Sequence, residues 1–336
     1  MTERICVVPK VHGVGGMVSF LHKFSAGARA RGVQVTNDLA DGPYAAVLVI
    51  GGTRELPALL RTRQRGVRVV QRLDGLNWIH RVRPVSLRHS LRSEFGNQLL
   101  AFIRRYVAGT IIYQSEFSRW WWNKRFGQQK KPFAVIHNGV DLDTYLPGEG
   151  RPQDYYRLLV VEGSLGGGYE DGLGNAIRLA EGLSNRGLPM QVQVVGEVSP
   201  ALRAEWQARS GVPLLWSGLL PREHIPAIDR GAHLLFSADV HPACPNAVIE
   251  ALACGLPVVA FDTGSLSELV TAETGFIGPY GSDSWRLESP VSANLVAGAE
   301  NILKNWSSFS WAARFRAQEF FGLEKMTDRY LEVLLG

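Results

Sequence analysis

The chain has 336 residues, 46% of them hydrophobic, which is enough for two cores and too many for a disordered chain. No apolar run nears the roughly 20 residues of a membrane span, the opening MTERICVVPK lacks a secretory h-region, and Cys6, Cys244 and Cys254 show no metal-ligand spacing, so a soluble, cytoplasmic protein without a bound metal is expected. The net charge of +5 hides an asymmetry: residues 1–150 carry 22 Lys and Arg against 10 Asp and Glu (+12), and residues 151–336 carry 14 against 21 (−7).

Arg4 to Pro9 reads as the first strand. It runs into a turn with Gly13, Gly15 and Gly16, then a helix with Met17, Phe20, Leu21 and Phe24 at helical spacing. Such glycines let a phosphate or sugar approach the backbone, although this spacing is not the dinucleotide fingerprint. Tyr44–Ile50 and Val67–Arg72 are the next strands. Asp74, just beyond them, is the acid of this half best placed for a substrate hydroxyl; a turn or N-cap aspartate before Gly75 fits it equally. Leu87, Leu91, Phe95, Leu99, Phe102 and Tyr106 recur at three- and four-residue steps, which predicts a helix packed along that stripe. Arg88, Arg92, Arg104 and Arg105 fall on its other face, either a solvated face or one that lies on an anionic membrane. Gly109–Gln114 is a strand and Ser115 an N-cap. Trp120, Trp121 and Trp122 cannot share one side of a helix, so at least one ring is expected at the surface. Phe133–Ile136 is a strand, closed by the Asn138-Gly139 turn.

Gly148–Tyr155 is polar with Gly and Pro and reads as a linker. Strands follow at Leu158–Glu162, Gln191–Val195, Pro213–Trp216 and Ala232–Ser237, with helices between them. Gly166, Gly167 and Gly168 form a loop able to offer backbone amides. The stretch Cys244–Val270 is the most informative. Asn246–Cys254 suits a short, largely apolar helix, stopped by Gly255 and Pro257. Val258–Phe261 suits a buried parallel strand, and Asp262–Ser265 a turn at its carboxyl end, where open α/β sheets bind ligands. Pro245 leaves the amides of Asn246, Ala247 and Val248 available to a phosphate. Glu250, one turn on, either pairs structurally or accepts hydrogen bonds from ribose hydroxyls. The tail from Asn301 reads as helices.

Cys244–Val270 and VIHNGVDLDTYLP, residues 135–147, together resemble the retaining glycosyltransferases of family 4. The resemblance implies an α/β chain of the GT-B fold: two Rossmann-like doubly wound domains facing across a cleft. The boundaries expected are 1–150 for an acceptor-side domain, joined by a final helix at about 325–336, and 151–324 for a nucleotide-sugar domain of the group 1 type. It implies a retaining, metal-independent hexosyl-type transfer from a nucleotide-diphosphate sugar to a glycan or lipid-linked acceptor, in cell-envelope or exopolysaccharide synthesis. The nucleotide sugar is then a co-substrate, no cofactor is bound, and no nucleic acid is involved. Peripheral contact with an anionic membrane through the basic half, at its inner face, fits the same picture. Gly15 and Gly16 would face the donor, Gly218 and Leu219 the base, and Glu250 the ribose, with Pro245, Asn246, Ala247 and Val248 at the phosphate and sugar. Asp74 would serve the acceptor side.

The sequence departs from the family pattern at three places. Pro242 replaces the first of its two signature glutamates; Gly163-Ser164 and Asp171-Gly172 stand where the family has Gly-Arg and Lys-Gly. Either His241 or Asp239 takes over the work of the first glutamate, or both are ordinary loop residues. The missing cations are expected either to have a substitute, such as Arg72 or Arg81, or to leave a nucleotide-sugar-binding protein that has lost transfer. A GT-B nucleotide-sugar 2-epimerase is the other alternative.

Overall fold

In a computed structural model the structure describes residues 3–13, 15–166 and 170–336, and the chain divides into two compact units. The first comprises Met1–Gly139 with Leu323–Gly336, and the second Val140–Gly322.

The first unit runs β1 (Arg4–Val8), α1 (Gly16–Ala30), β2 (Gln34–Thr36), β3 (Ala46–Ile50), α2 (Leu56–Gln64), β4 (Arg68–Leu73), α3 (Leu87–Phe102), β5 (Thr110–Tyr113), α4 (Glu116–Phe126) and β6 (Phe133–Val135). Its six strands are all parallel, in the order β2-β1-β3-β4-β5-β6. All five residues of β3 are buried, as expected of a strand covered on both faces. The short edge strand β2 carries only three residues and no strong apolar run, so periodicity does not reveal it.

The second unit runs β7 (Tyr156–Ser164), α5 (Glu170–Ser184), β8 (Met190–Glu197), α6 (Pro200–Arg209), β9 (Leu214–Gly218), α7 (Ile225–Arg230), β10 (Leu234–Phe236), α8 (Asn246–Ala253), β11 (Val258–Phe261), α9 (Leu266–Leu269), β12 (Gly275–Gly278), α10 (Ala293–Lys304) and α11 (Trp306–Phe320). Its parallel sheet is ordered β12-β11-β10-β7-β8-β9. The last helix, α12 (Leu323–Leu335), belongs to the first unit. Tyr330 tilts against Phe20 and Phe24 at 5.0 and 5.6 Å, within one core with Met326 and Leu334.

The chain passes between units at 139/140, ahead of the linker expected at 148–155. The reason is local: the Val140 amide donates to the Phe321 carbonyl, and Val140 and Tyr145 are buried in the second core.

The helical stripe is the main correction. Helix α3 forms as its periodicity predicts, with Ser86 accepting from the His89 amide as N-cap. Most of its apolar stripe, however, faces outward: Leu87 is 74% exposed, Leu91 63% and Phe95 61%, while Leu99 alone of the stripe's helical residues packs on the core. Beside Leu99, polar groups fix the inner face. Asn97 is buried and exchanges two hydrogen bonds with the backbone of Asn77, and Gln71 Nε2 donates to the Leu100 carbonyl. Arg104 does not share a basic face. One π turn at Ile103–Val107 turns it into the core, where it donates to Tyr113 Oη, Asn123 Oδ1 and the Gly127 carbonyl. Of the tryptophans, Trp122 and Trp121 are buried and Trp120 is exposed.

Candidate functional site

In a doubly wound sheet, ligands bind where the strand order reverses, beyond the carboxyl ends. In the second unit that point lies between β7 and β10. Three segments lie there: Glu162, Gly163 and Ser164 closing β7; Asp239, Val240 and His241 after β10; and the N-terminus of α8. A Cβ on Gly172, in the first turns of α5, would stand 2.5 Å from the Ala238 carbonyl, so only glycine lets α5 come this near the β10 loop. The register of β7 against β8 shifts between Val161 and Ser164, a bulge of the kind that re-aims side chains beside sites.

Helix α8 begins at Asn246 after Pro245, an N-cap residue that makes no side-chain cap hydrogen bond. The amides of Asn246, Ala247 and Val248 precede the first intrahelical bond, so an anion can take them. Helix α5 differs, because Glu170 and Asp171 in its first turn already answer its dipole. Glu250 is buried, 7% exposed, on the next turn of α8. Behind it lie Asp229, 2% exposed, and Tyr145, both electrostatic neighbours of Glu250. Burial, reinforced by the Glu250 charge, holds the Asp229 pKa well above the ordinary carboxylate range.

His241 adopts a left-handed backbone, φ 59°, and its ring stacks on Trp285 at 3.7 Å and 14°. Burial pushes its pKa down to about 4, so it is neutral at physiological pH and suits hydroxyl binding rather than neutralising phosphate. Glu162 and Asp239, at the ends of neighbouring strands, are both raised, mainly by burial and, for Glu162, also by the Asp239 charge. Pro242, where a glutamate was expected, packs its backbone on the next turn: its carbonyl accepts from the Ser265 amide at 2.9 Å, and a Cβ on Gly264 would meet its nitrogen at 2.5 Å.

Gly163 and Ser164 are exposed at the end of β7. Gly218, φ 66°, ends β9 and exposed Leu219 follows it, at the carboxyl end of the sheet like Gly163 but two strands away on the outer strand. Gly167 and Gly168 lie outside the described residues. Gly15, φ 128°, and Gly16 sit in the first unit, where a Cβ on either would meet open space, at that unit's own reversal between β1 and β3. Asp74 also belongs to the first unit. It is the N-cap of no helix among the described residues: its carbonyl accepts from Trp122 Nε1 at 2.7 Å and Ser118 Oγ at 2.9 Å, while burial raises the pKa of its carboxyl and Arg72 partly offsets that. The two arginines expected as replacement cations are engaged within the first unit. Arg72 is buried, stacks 3.9 Å over Phe20 and donates to Asn138 Oδ1, and Arg81 donates twice to Glu94.

Sequence reasoning missed Asp229, Tyr145, Glu162 and Trp285. Each meets the site only through the fold, and only Glu162, an acid ending an apolar strand, carried a local signal.

Residues 157–286 match the family model for "Glycosyl transferases group 1", a segment that contains Glu162, Asp239, His241, α8 and Trp285 but not Tyr145. The chain is 28% identical over 221 residues to the GDP-mannose-dependent alpha-(1-6)-phosphatidylinositol dimannoside mannosyltransferase of Mycobacterium tuberculosis, covering 58% of this chain and 55% of that protein. It is 30% identical over 199 residues to the 2-deoxystreptamine glucosyltransferase of Streptomyces kanamyceticus, covering 52% and 50%. The chain thus spans about half the length of these curated relatives. Among solved structures it resembles the sucrose-phosphate synthase of Thermosynechococcus elongatus, with TM-score 0.75, 16% identity and 98% of each chain covered. It also resembles Anabaena HepE in complex with UDP and glucose, with TM-score 0.70, 15% identity and 99% of each chain covered. The fold is therefore GT-B, with two Rossmann-like domains.

Proposed function

We propose that this protein is a glycosyltransferase that takes a nucleotide-diphosphate sugar as donor and transfers the sugar, with retention, to a glycan or lipid-linked acceptor of the cell envelope. One observation carries the reading: the N-terminus of α8, with no side-chain cap from Pro245 and with Glu250 one turn behind it, stands at the reversal point of the second sheet. The group 1 match over the same residues supports it, as do relatives that are named for mannosyl and glucosyl transfer. In this reading the amides of Asn246, Ala247 and Val248 hold the departing phosphate, and Glu250 orients the ribose. Neutral His241 binds a sugar hydroxyl. No metal takes part. The leaving phosphate accepts the acceptor's proton on the face where it departs, so no side-chain base is required there.

The test is a thermal-shift screen of the full chain against nucleotide sugars, UDP-glucose and GDP-mannose among them. A donor at 100 times its Kd should add about 2.7 kcal/mol of stability. If every donor leaves the melting curve unmoved, the proposal fails. With the donor identified, the anomeric configuration of the product, read by NMR, checks retention. Product formed from donor alone would point to an epimerase instead.

A second reading, a donor-binding protein without transfer, is favoured by Ser164 and Asp171 and by the acids Glu162 and Asp239 at the reversal point. Turnover with any acceptor removes it.

A further inference from the structure

We propose that α3 is a docking surface for an anionic lipid bilayer, with the helix lying flat on it. The assignment stands on the first unit alone and does not depend on the transfer reaction. Leu87, Leu91, Phe95, Phe102 and Tyr106 all face solvent, each at least 40% exposed. Steps of four, four, seven and four keep them on one side of the helix. The π turn after Phe102 preserves the pattern: it draws Arg104 inward and leaves Tyr106 outside, 5.2 Å from Phe102. At 1.5 Å per residue the stripe is roughly 28 Å long, a single row of large apolar side chains. Soluble helices usually turn such a row inward. Here the inner face is pinned through Asn97 and Leu100, so the row cannot rotate in without breaking those bonds.

Charge selects the occupant. Arg88 and Arg92 are exposed one turn apart beside the row, and Arg105, also exposed, lies 5.5 Å over the Tyr106 ring. The one acid of α3, Glu94, is engaged by Arg81 and His80. Residues 1–150 carry a net +12 in all. A narrow, straight apolar row flanked by arginines matches the depth and charge of a headgroup layer. No helix among the described residues is long and apolar enough to cross a membrane, so the contact proposed is peripheral.

The experiment is co-sedimentation of the full chain with vesicles of pure phosphatidylcholine, or of phosphatidylcholine with 30% phosphatidylserine. Binding to the anionic vesicles should exceed that to the neutral ones by at least tenfold and weaken as salt is raised. The double variant Leu91→Glu, Phe95→Glu should lose at least tenfold of it. Arg88→Glu, Arg92→Glu should remove the preference for phosphatidylserine. All four positions are exposed, and unchanged melting temperatures will show that the variants fold. Absent binding, equal binding to both vesicles, or binding that survives the Leu91/Phe95 variant overturns the proposal. So does a concentration-dependent dimer abolished by that variant without vesicle binding, which would assign the stripe to a second copy.

Discussion

Glu250 and Asp229 sit on α8 and α7 as two buried acids whose charges oppose each other. Glu250→Gln should weaken donor binding at least tenfold in calorimetry while leaving the melting temperature unchanged or higher. A purely structural glutamate would give the reverse, lost stability with intact binding. Asp229→Asn should raise stability at pH 7 by about 1–3 kcal/mol. The sign follows from its raised pKa. The unfolded chain releases that proton at lower pH than the native protein does, so native stability falls as pH climbs through the interval. The gain from Asn should therefore vanish near pH 4, and denaturation midpoints at pH 7 and pH 4 check it. His241 has the opposite sign. With its folded pKa at about 4, the unfolded chain takes up a proton first, and stability is lost as pH falls from about 6.5 towards 4. His241→Asn, which tolerates the left-handed backbone, should flatten that part of the stability profile by up to about 3 kcal/mol. A profile parallel to wild type would show that His241 titrates normally. Glu250 was legible as a lone acid on an apolar helix. Asp229, Tyr145 and Trp285 were not, because they are far from α8 and the His241 loop in sequence and no periodicity records a contact made by packing.

At the scale of the element, α8 is fixed from behind. It ends before Gly255, whose φ is 69° and whose Cβ position is 2.9 Å from Ser310 Oγ and 3.2 Å from the Ser310 carbonyl on α11. Gly255→Ala should cost about 2 kcal/mol or more through left-handed strain and crowding, read as a lower denaturant midpoint at constant m-value. An unchanged midpoint would mean that α11 yields freely. The helix and its stop could be read from Asn246 to Pro257, since glycine and proline are local signals. Helix α3 shows where such reading ends. Its period was correct, but period alone does not say which side is in. The hooks at Asn97 and Gln71, both polar and hidden in sequence, decided against the apolar row.

At the scale of the molecule, both sheets emerged from alternating strand and helix signals, and each reversal point follows from strand order rather than from any residue. The unit boundary was less legible, because residues 140–147 look like a closing turn and only the burial of Val140 and Tyr145 assigns them to the second core. The clearest prediction here concerns α12. A chain ended at Phe321 loses Met326, Tyr330 and Leu334 from the first core, at about 1.5–3 kcal/mol for each fully buried side chain. That approaches the whole stability of a domain. Hydrogen exchange on the truncated chain should find the first unit unprotected and the second still protected. Equal protection of both would refute it.

The placement of α12 also sets an order of events on the ribosome. Domains ordinarily fold in the order in which they are made, but the first unit here is missing a wall until α12 emerges. The second unit, complete at Gly322, precedes them. At about 5–20 residues per second, synthesis of that intervening stretch takes on the order of ten seconds or more, with Phe20 and Phe24 uncovered throughout. The nascent chain must therefore finish its later half before its earlier one, and that interval is when it most needs a chaperone.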